Sequence, residues 1–132
     1  MLRRDFIMVQ LEELGKAIAQ IIELRNANDT RKILQMVQVV YDSLKIDRNF
    51  LLNGEPHDIR RFLDGEDDAG LQRLEIAVKA LLEEACADTD NAKKMRSKAK
   101  ELLEYIQARD TTFSLERLQL LDEIRSQSSQ GV

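Results

Sequence analysis

The residues best spaced for chemistry lie around one acidic turn, and the chemistry they suggest is binding of a hard cation. A calcium loop of the helix–loop–helix kind takes oxygen ligands at positions 1, 3 and 5, glycine at 6, a hydrophobe at 8 and glutamate at 12. Counted from Asp64, the chain supplies Asp64, Glu66, Asp68, Leu71 and Glu75. Ala69 stands where the glycine is needed, Gly70 comes one residue late, and Glu66 is a long ligand for a tight loop. No second copy exists to pair with it. The plainer reading is an acid-rich helix start, with Asp67 and Asp68 opposing the positive end of the helix dipole. No metal ligand is assigned; whether the turn at 64–75 takes a cation is a matter for titration.

Catalytic material is sparse. His57 is the only imidazole, placed just after Pro56 at a helix start, where a surface position is expected. The lone Cys86, between Ala85 and Ala87, reads as a small buried hydrophobe. No Ser or Cys has a histidine at helical spacing, so no nucleophile–base pair can be drawn. Glycine-rich phosphate loops are absent. The carboxylate pairs Glu12-Glu13, Glu83-Glu84 and Asp122-Glu123 read as exposed, solvated helix positions. The run Lys93-Lys94-Met95-Arg96-Ser97-Lys98-Ala99-Lys100 spreads five cations around a helix away from Met95 and Ala99. A phosphate-tracking surface asks for more net positive charge and for stacking aromatics. The expectation is a protein that is not an enzyme, with no catalytic or cofactor-binding residue, no cofactor and no nucleic-acid partner.

The frame that must position these residues is set by composition. The 132 residues carry 20 Lys and Arg against 24 Asp and Glu, with one Cys, five Gly and one Pro. A single domain of this length buries enough surface for a core, and the good helix formers Leu, Ala, Glu, Lys, Gln and Arg dominate. One cysteine excludes a disulfide scaffold and a multi-site Cys/His zinc protein. Charge is uneven: residues 51–90 hold 4 basic and 11 acidic side chains, and Gly54, Pro56, Gly65 and Gly70 cluster there. Arg3-Arg4-Asp5-Phe6-Ile7 superficially resembles a twin-arginine export signal, but Gln10, Glu12, Glu13 and Lys16 interrupt the apolar stretch that must follow. No window approaches a membrane span. A cytoplasmic protein without a membrane partner is expected.

Hydrophobic spacing predicts five principal helices. Ile7, Leu11, Leu14, Ile18 and Ile21 form a heptad seam over about Arg4–Arg25, with Gly15 and Ala19 four apart on one side. A neighbouring helix could approach closely there, and the seam could pair with another chain. Asp29 or Thr30 caps a second helix along Ile33, Val37, Val40 and Leu44, widened by Leu34 and Tyr41. Its Val37–Tyr41 stretch has strand-like composition, but the flanking spacing is helical. Residues 46–70 break up: a short helix after Asp47, the turn Asn53-Gly54-Glu55-Pro56, and a second short helix over His57–Leu63 presenting Ile59, Phe62 and Leu63 to the core. The third long helix spans Asp68–Ala87, with Leu71, Leu74, Val78, Leu81 and Ala85 on one face. Asp88-Thr89-Asp90 supplies the cap for a fourth over Asn91–Arg109, which uses Met95, Ala99, Leu102, Leu103 and Ile106. Ser114 caps the fifth, with Phe113 and Leu118 as a hydrophobic staple and Leu115, Leu118, Leu121 and Ile124 as its apolar face. The tail Ser126–Val132 reads as frayed.

Two resemblances accompany this pattern. Met1–Met8, followed by Leu11-Glu12-Glu13-Leu14-Gly15-Lys16, resembles the start of a small uncharacterised bacterial family, a domain of unknown function. Over about the first 25 residues that resemblance implies a bacterial cytoplasmic protein and no activity. Leu11, Leu14, Gly15 and Ile18, with Ala99, Leu103 and Ile106, resemble degenerate tetratricopeptide-type hairpins. That implies stacked antiparallel helix pairs, and no peptide-binding residue is carried over.

The sequence therefore predicts an all-α single domain of residues 1–132. Its helical halves, 1–45 and 71–127, are joined by an irregular acidic segment, 46–70. Function is not fixed by these residues. The favoured expectation is a non-enzymatic protein–protein interaction module whose partner is another protein, a second copy of the chain included. The alternative is a small-molecule or cation-responsive ligand-binding bundle.

Overall fold

In a computed structural model, residues 3–112 and 114–130 are described, with side chains for 6–112 and 114–127. These residues form seven helices: α1 (Arg3–Asn26), α2 (Thr30–Leu44), α3 (Arg48–Asn53), α4 (Pro56–Asp64), α5 (Gly70–Ala87), α6 (Ala92–Arg109) and α7 (Leu115–Gln130). No strand occurs among the described residues, and Val37–Tyr41 is helical throughout. The two short helices, α3 and α4, occupy the broken middle. The backbone continues as helix to Gln130, beyond the point at which fraying is expected from sequence.

Helix ends follow local chemistry, with some departures. The Asp29 carboxylate accepts the Lys32 N–H at 3.3 Å, and Lys45 closes α2 in the left-handed conformation. Pro56 sits at the first turn of α4, where its missing N–H costs nothing. Ser114 Oγ accepts the Arg117 N–H at 3.2 Å; the expected staple partner Phe113 lies outside the described residues. α5 begins two residues later than the sequence predicts, because Asp68 is left-handed (φ 56°) and cannot continue a helix. α6 takes Asn91 as its N-cap without a side-chain cap bond, where Asp88–Asp90 were the expected source.

α5 is the centre of the molecule. α1, α2, α4 and α6 all pack on it, and α7 rests chiefly on α6. Leu74, Ala77, Val78, Ala80, Leu81 and Ala85 are wholly buried, and Ile76 nearly so, which leaves α5 apolar around most of its circumference. A helix enclosed on nearly every side needs that composition. Truncating Leu81 to Ala there should cost about 2–5 kcal/mol, the usual range for a core leucine.

Four expected core positions are corrected. Phe62 is 51% exposed and meets Phe50 edge-on at 5.8 Å, because Ile59 and Leu63 take the inward positions of α4. Leu115 and Leu118 are exposed; α7 instead buries Arg117, Leu121 and Ile124, a stripe rotated by about one residue. Cys86 is exposed, since Ala85 occupies the inward position and the next residue turns about 100° away.

Candidate functional site

The acidic turn is closed by arginines. Asp64 Oδ1 accepts from Arg60 at 2.9 Å and from the Gly70 N–H at 3.1 Å. Arg73 reaches back from α5 to donate to the Leu63 carbonyl at 2.9 Å and to Asp67 Oδ1 at 2.7 Å, and it also binds Gln10 of α1 at 3.2 Å. Bonding to Arg73, more than any other influence, lowers the Asp67 carboxyl to about 2. Gly70 is required by packing: a Cβ there would stand 2.2 Å from Asp64 Oδ1 and 2.5 Å from the Arg60 carbonyl. Glu75, the last position of the calcium-loop spacing, turns instead to Arg117, whose Nε donates to it at 3.1 Å. Among the described residues no group of three or more His, Cys, Asp or Glu is placed to hold a metal ion.

The remaining candidates are dispersed. His57 is exposed on α4, with Nδ1 3.1 Å from the Tyr105 hydroxyl, and Arg109 stacks on the Tyr105 ring at 3.7 Å. Cys86 ends α5. In the basic run, Lys98 is drawn inward to the Gly54 carbonyl and Glu101, which anchors α6 to the turn before α4.

The pair Glu83-Glu84 departs most from expectation, since both carboxylates are buried. Glu84 accepts the Tyr41 hydroxyl at 2.8 Å and the Arg48 guanidinium through its other oxygen. Burial first, then the charge and bond of Glu84, hold the Tyr41 hydroxyl far above its ordinary range. Glu83 accepts Arg25 at 3.0 Å through Oε1, while Oε2 is buried with no hydrogen-bond partner. Burial pushes the Glu83 carboxyl upward, Arg25 opposes this, and Glu123 of α7 adds to it. The signal for both was the apolar girth of α5: on a helix surrounded by neighbours, polar positions are buried too. Arg117, also buried, had no comparable sequence signal; it is held by Glu75, Gln107 and Asp110.

Glu83 lines an open groove of about 420 Å³ between α1, α5 and α7. Its walls are Leu11, Gly15, Ile18, Ala19 and Ile22 of α1, Ile76 and Leu82 of α5, and Leu120 of α7. Two ion pairs border it, Lys79–Glu116 at 2.7 Å and Arg117–Glu75 at 3.1 Å, joining α5 to α7. A second hollow, sharing Leu11 and Gln72, prolongs the groove past Ile7 and Met8 to Asp67–Ala69. From Met8 to Ile22 the apolar wall runs about 21 Å along α1. No other face of the described residues combines a continuous apolar lining with a buried polar atom that lacks a partner.

Compared with known proteins, the chain matches no family model, no curated protein and no solved structure. Among the described residues no helix is long and apolar enough to cross a membrane.

Proposed function

We propose that this chain is a non-enzymatic interaction module that docks a helix of a partner protein in the groove between α1, α5 and α7. The observation that carries this reading is the contiguous apolar wall from Met8 to Ile22, continued by Ile76 and Leu82. The exposed members of that wall, Met8 and Ile22 above all, cost free energy in water that a partner's apolar face would recover, at about 25 cal/mol per Å² removed from water. Four turns of helix match its length, and the bordering ion pairs provide a polar rim of the kind interfaces have. The groove is open, and most of its polar groups are committed to one another, which suits a helix better than an enclosed small molecule. A small ligand with an apolar body and one hydrogen-bond donor is the second reading, favoured by the orphaned Glu83 oxygen.

In this account the hairpins α1–α2 and α5–α6 act as tetratricopeptide-like units, in a cytoplasmic bacterial protein whose task is adhesion to another chain. The test is affinity capture from the native host with wild-type bait and with Ile22→Glu. Ile22 is 36% exposed, so glutamate there spares the core while charging the wall. Species held by wild type and lost from the variant support the reading. An unchanged set of captured species contradicts it.

A further inference from the structure

We infer that the hollow between the start of α1, the end of α2 and α4 binds a small carboxylate with an aromatic body, its charge met by Lys45. The hollow encloses about 270 Å³. Sites for drug-sized molecules begin at about 300 Å³, so the guest is a small one. The hollow is distinct from the groove, whose extension it meets only at Asp67. Phe6 of α1 and Phe62 of α4 line it together with the buried Leu44 and Leu63. Both rings are largely exposed, at 62% and 51%, and Phe62 is steadied by its edge-on contact with Phe50. An aromatic guest would cover apolar surface on both and meet them in the offset or edge-on contacts that rings favour.

Lys45 is the residue that singles this hollow out. It lines the hollow, and among the described residues no ion pair or side-chain hydrogen bond holds its ammonium. Its backbone is left-handed, with φ 57° and ψ 31°, at the close of α2. The Lys45 N–H donates to the Asp42 carbonyl at 3.0 Å and the Ile46 N–H to the Tyr41 carbonyl at 3.1 Å. That is a Schellman ending, whose left-handed position suits glycine because a Cβ there crowds the following carbonyl. The other left-handed non-glycine residues among those described, Asn28 and Asp68, are of the types that tolerate it. Lysine is not, and the dipole benefit of a cation at a helix end is smaller than the strain. A strained residue kept where glycine folds better, with its charge unpaired beside an apolar hollow, implies a task for that charge.

The rest of the polar lining selects the charge of the guest. Arg73 is committed to Asp67, with Nη1 donating to Oδ1 at 2.7 Å, so this pair adds no net charge. Arg73 Nε and Nη2 both donate to Gln10 Oε1 at 3.2 Å, which orients the Gln10 amide and leaves its NH2 as a further donor. One unpaired cation and one amide donor match a single carboxylate, whereas a doubly charged phosphate would ask for a second cation.

Proton–nitrogen correlation spectra of the full chain test this, with 3-phenylpropionate as the probe. The amides of Gln10, Lys45 and Leu63 should shift saturably, with a Kd on the order of 1 mM. Acetate, which lacks the ring, and 3-phenylpropanol, which lacks the charge, should each bind at least about tenfold more weakly. Lys45→Gly should weaken binding of the probe by about tenfold or more. The same variant should raise the melting temperature of the ligand-free protein by about 2–5 °C, because the strain leaves with the side chain. Phe6→Ala, at an exposed position, should weaken binding without lowering that temperature. Ile22→Glu should change none of these shifts, since the groove lies elsewhere. The inference is overturned by an absence of saturable shifts, by shifts confined to other residues or by equal binding of the alcohol. It is equally overturned if Lys45→Gly binds the probe as wild type does or melts below it.

Discussion

Arg25 binds only one oxygen of Glu83, at 3.0 Å, and leaves the other buried and unpaired at the edge of an apolar groove. A buried carboxylate oxygen without a donor costs about 1–3 kcal/mol or more. In the folded chain the arrangement is a cost.

The pH response of Glu83 follows from its environment. Its folded carboxyl is raised by burial and by Glu123, with Arg25 opposing. A raised group contributes stability that is full below its unfolded pKa and is lost as pH rises through the folded one. Glu83→Gln abolishes that loss. In dilute, monomeric samples the melting temperature of Glu83→Gln relative to wild type should therefore climb as pH is raised from about 4 toward neutrality. Thermal melts across that window read it directly, and a flat difference would refute the assignment.

Asp67 works in the opposite sense. Its carboxyl is lowered to about 2, chiefly by Arg73, so its contribution is present above the unfolded carboxyl range and lost as pH falls through the folded value. Acid melts should show a decline between about pH 4 and pH 2 that Asp67→Asn removes, the variant being less stable at neutral pH.

The Tyr41–Glu84–Arg48 cluster joins α2 and the start of α3 to α5. Tyr41→Phe removes one bond to a charged acceptor and should cost about 1.5–3 kcal/mol in chemical denaturation. Glu84→Ala strands both Tyr41 and Arg48 and should cost more, about 3–5 kcal/mol. Reversal of that order would mean that Glu84 is compensated elsewhere.

Calcium at millimolar concentration should leave the melting temperature unchanged. The carboxylates of Asp64 and Asp67 are engaged by Arg60 and Arg73, and Glu75 by Arg117. A rise in melting temperature with added calcium would show a cation displacing those arginines.

Much of the helical frame was legible because each stripe reports its own helix. Ile33, Val37, Val40 and Leu44 announce α2 despite its strand-like middle, and all four are buried. Positions off the stripe were harder, since spacing tells which side faces inward and not how many neighbours a helix has. Reading one face of α5 left Glu83 and Glu84 in solvent; with α1, α2, α4 and α6 around it, both are enclosed. Phe62 failed for the related reason that hydrophobicity does not reveal which of two adjacent apolar positions wins the core, and Leu115 because a charged residue, Arg117, takes the inward position at the start of α7. The groove was foreshadowed only by Gly15 and Ala19. Its other wall comes from α7, far along the chain, and only the fold brings them together.

In-cell photocrosslinking from a benzophenone residue at position 22 tests the central claim most directly. Position 39, an exposed apolar site on α2, is the control, since Val39 is 56% exposed and lies outside the groove. A partner helix in the groove predicts a discrete protein adduct from position 22 and none from position 39. No adduct at 22, or the same adducts from both positions, would contradict it.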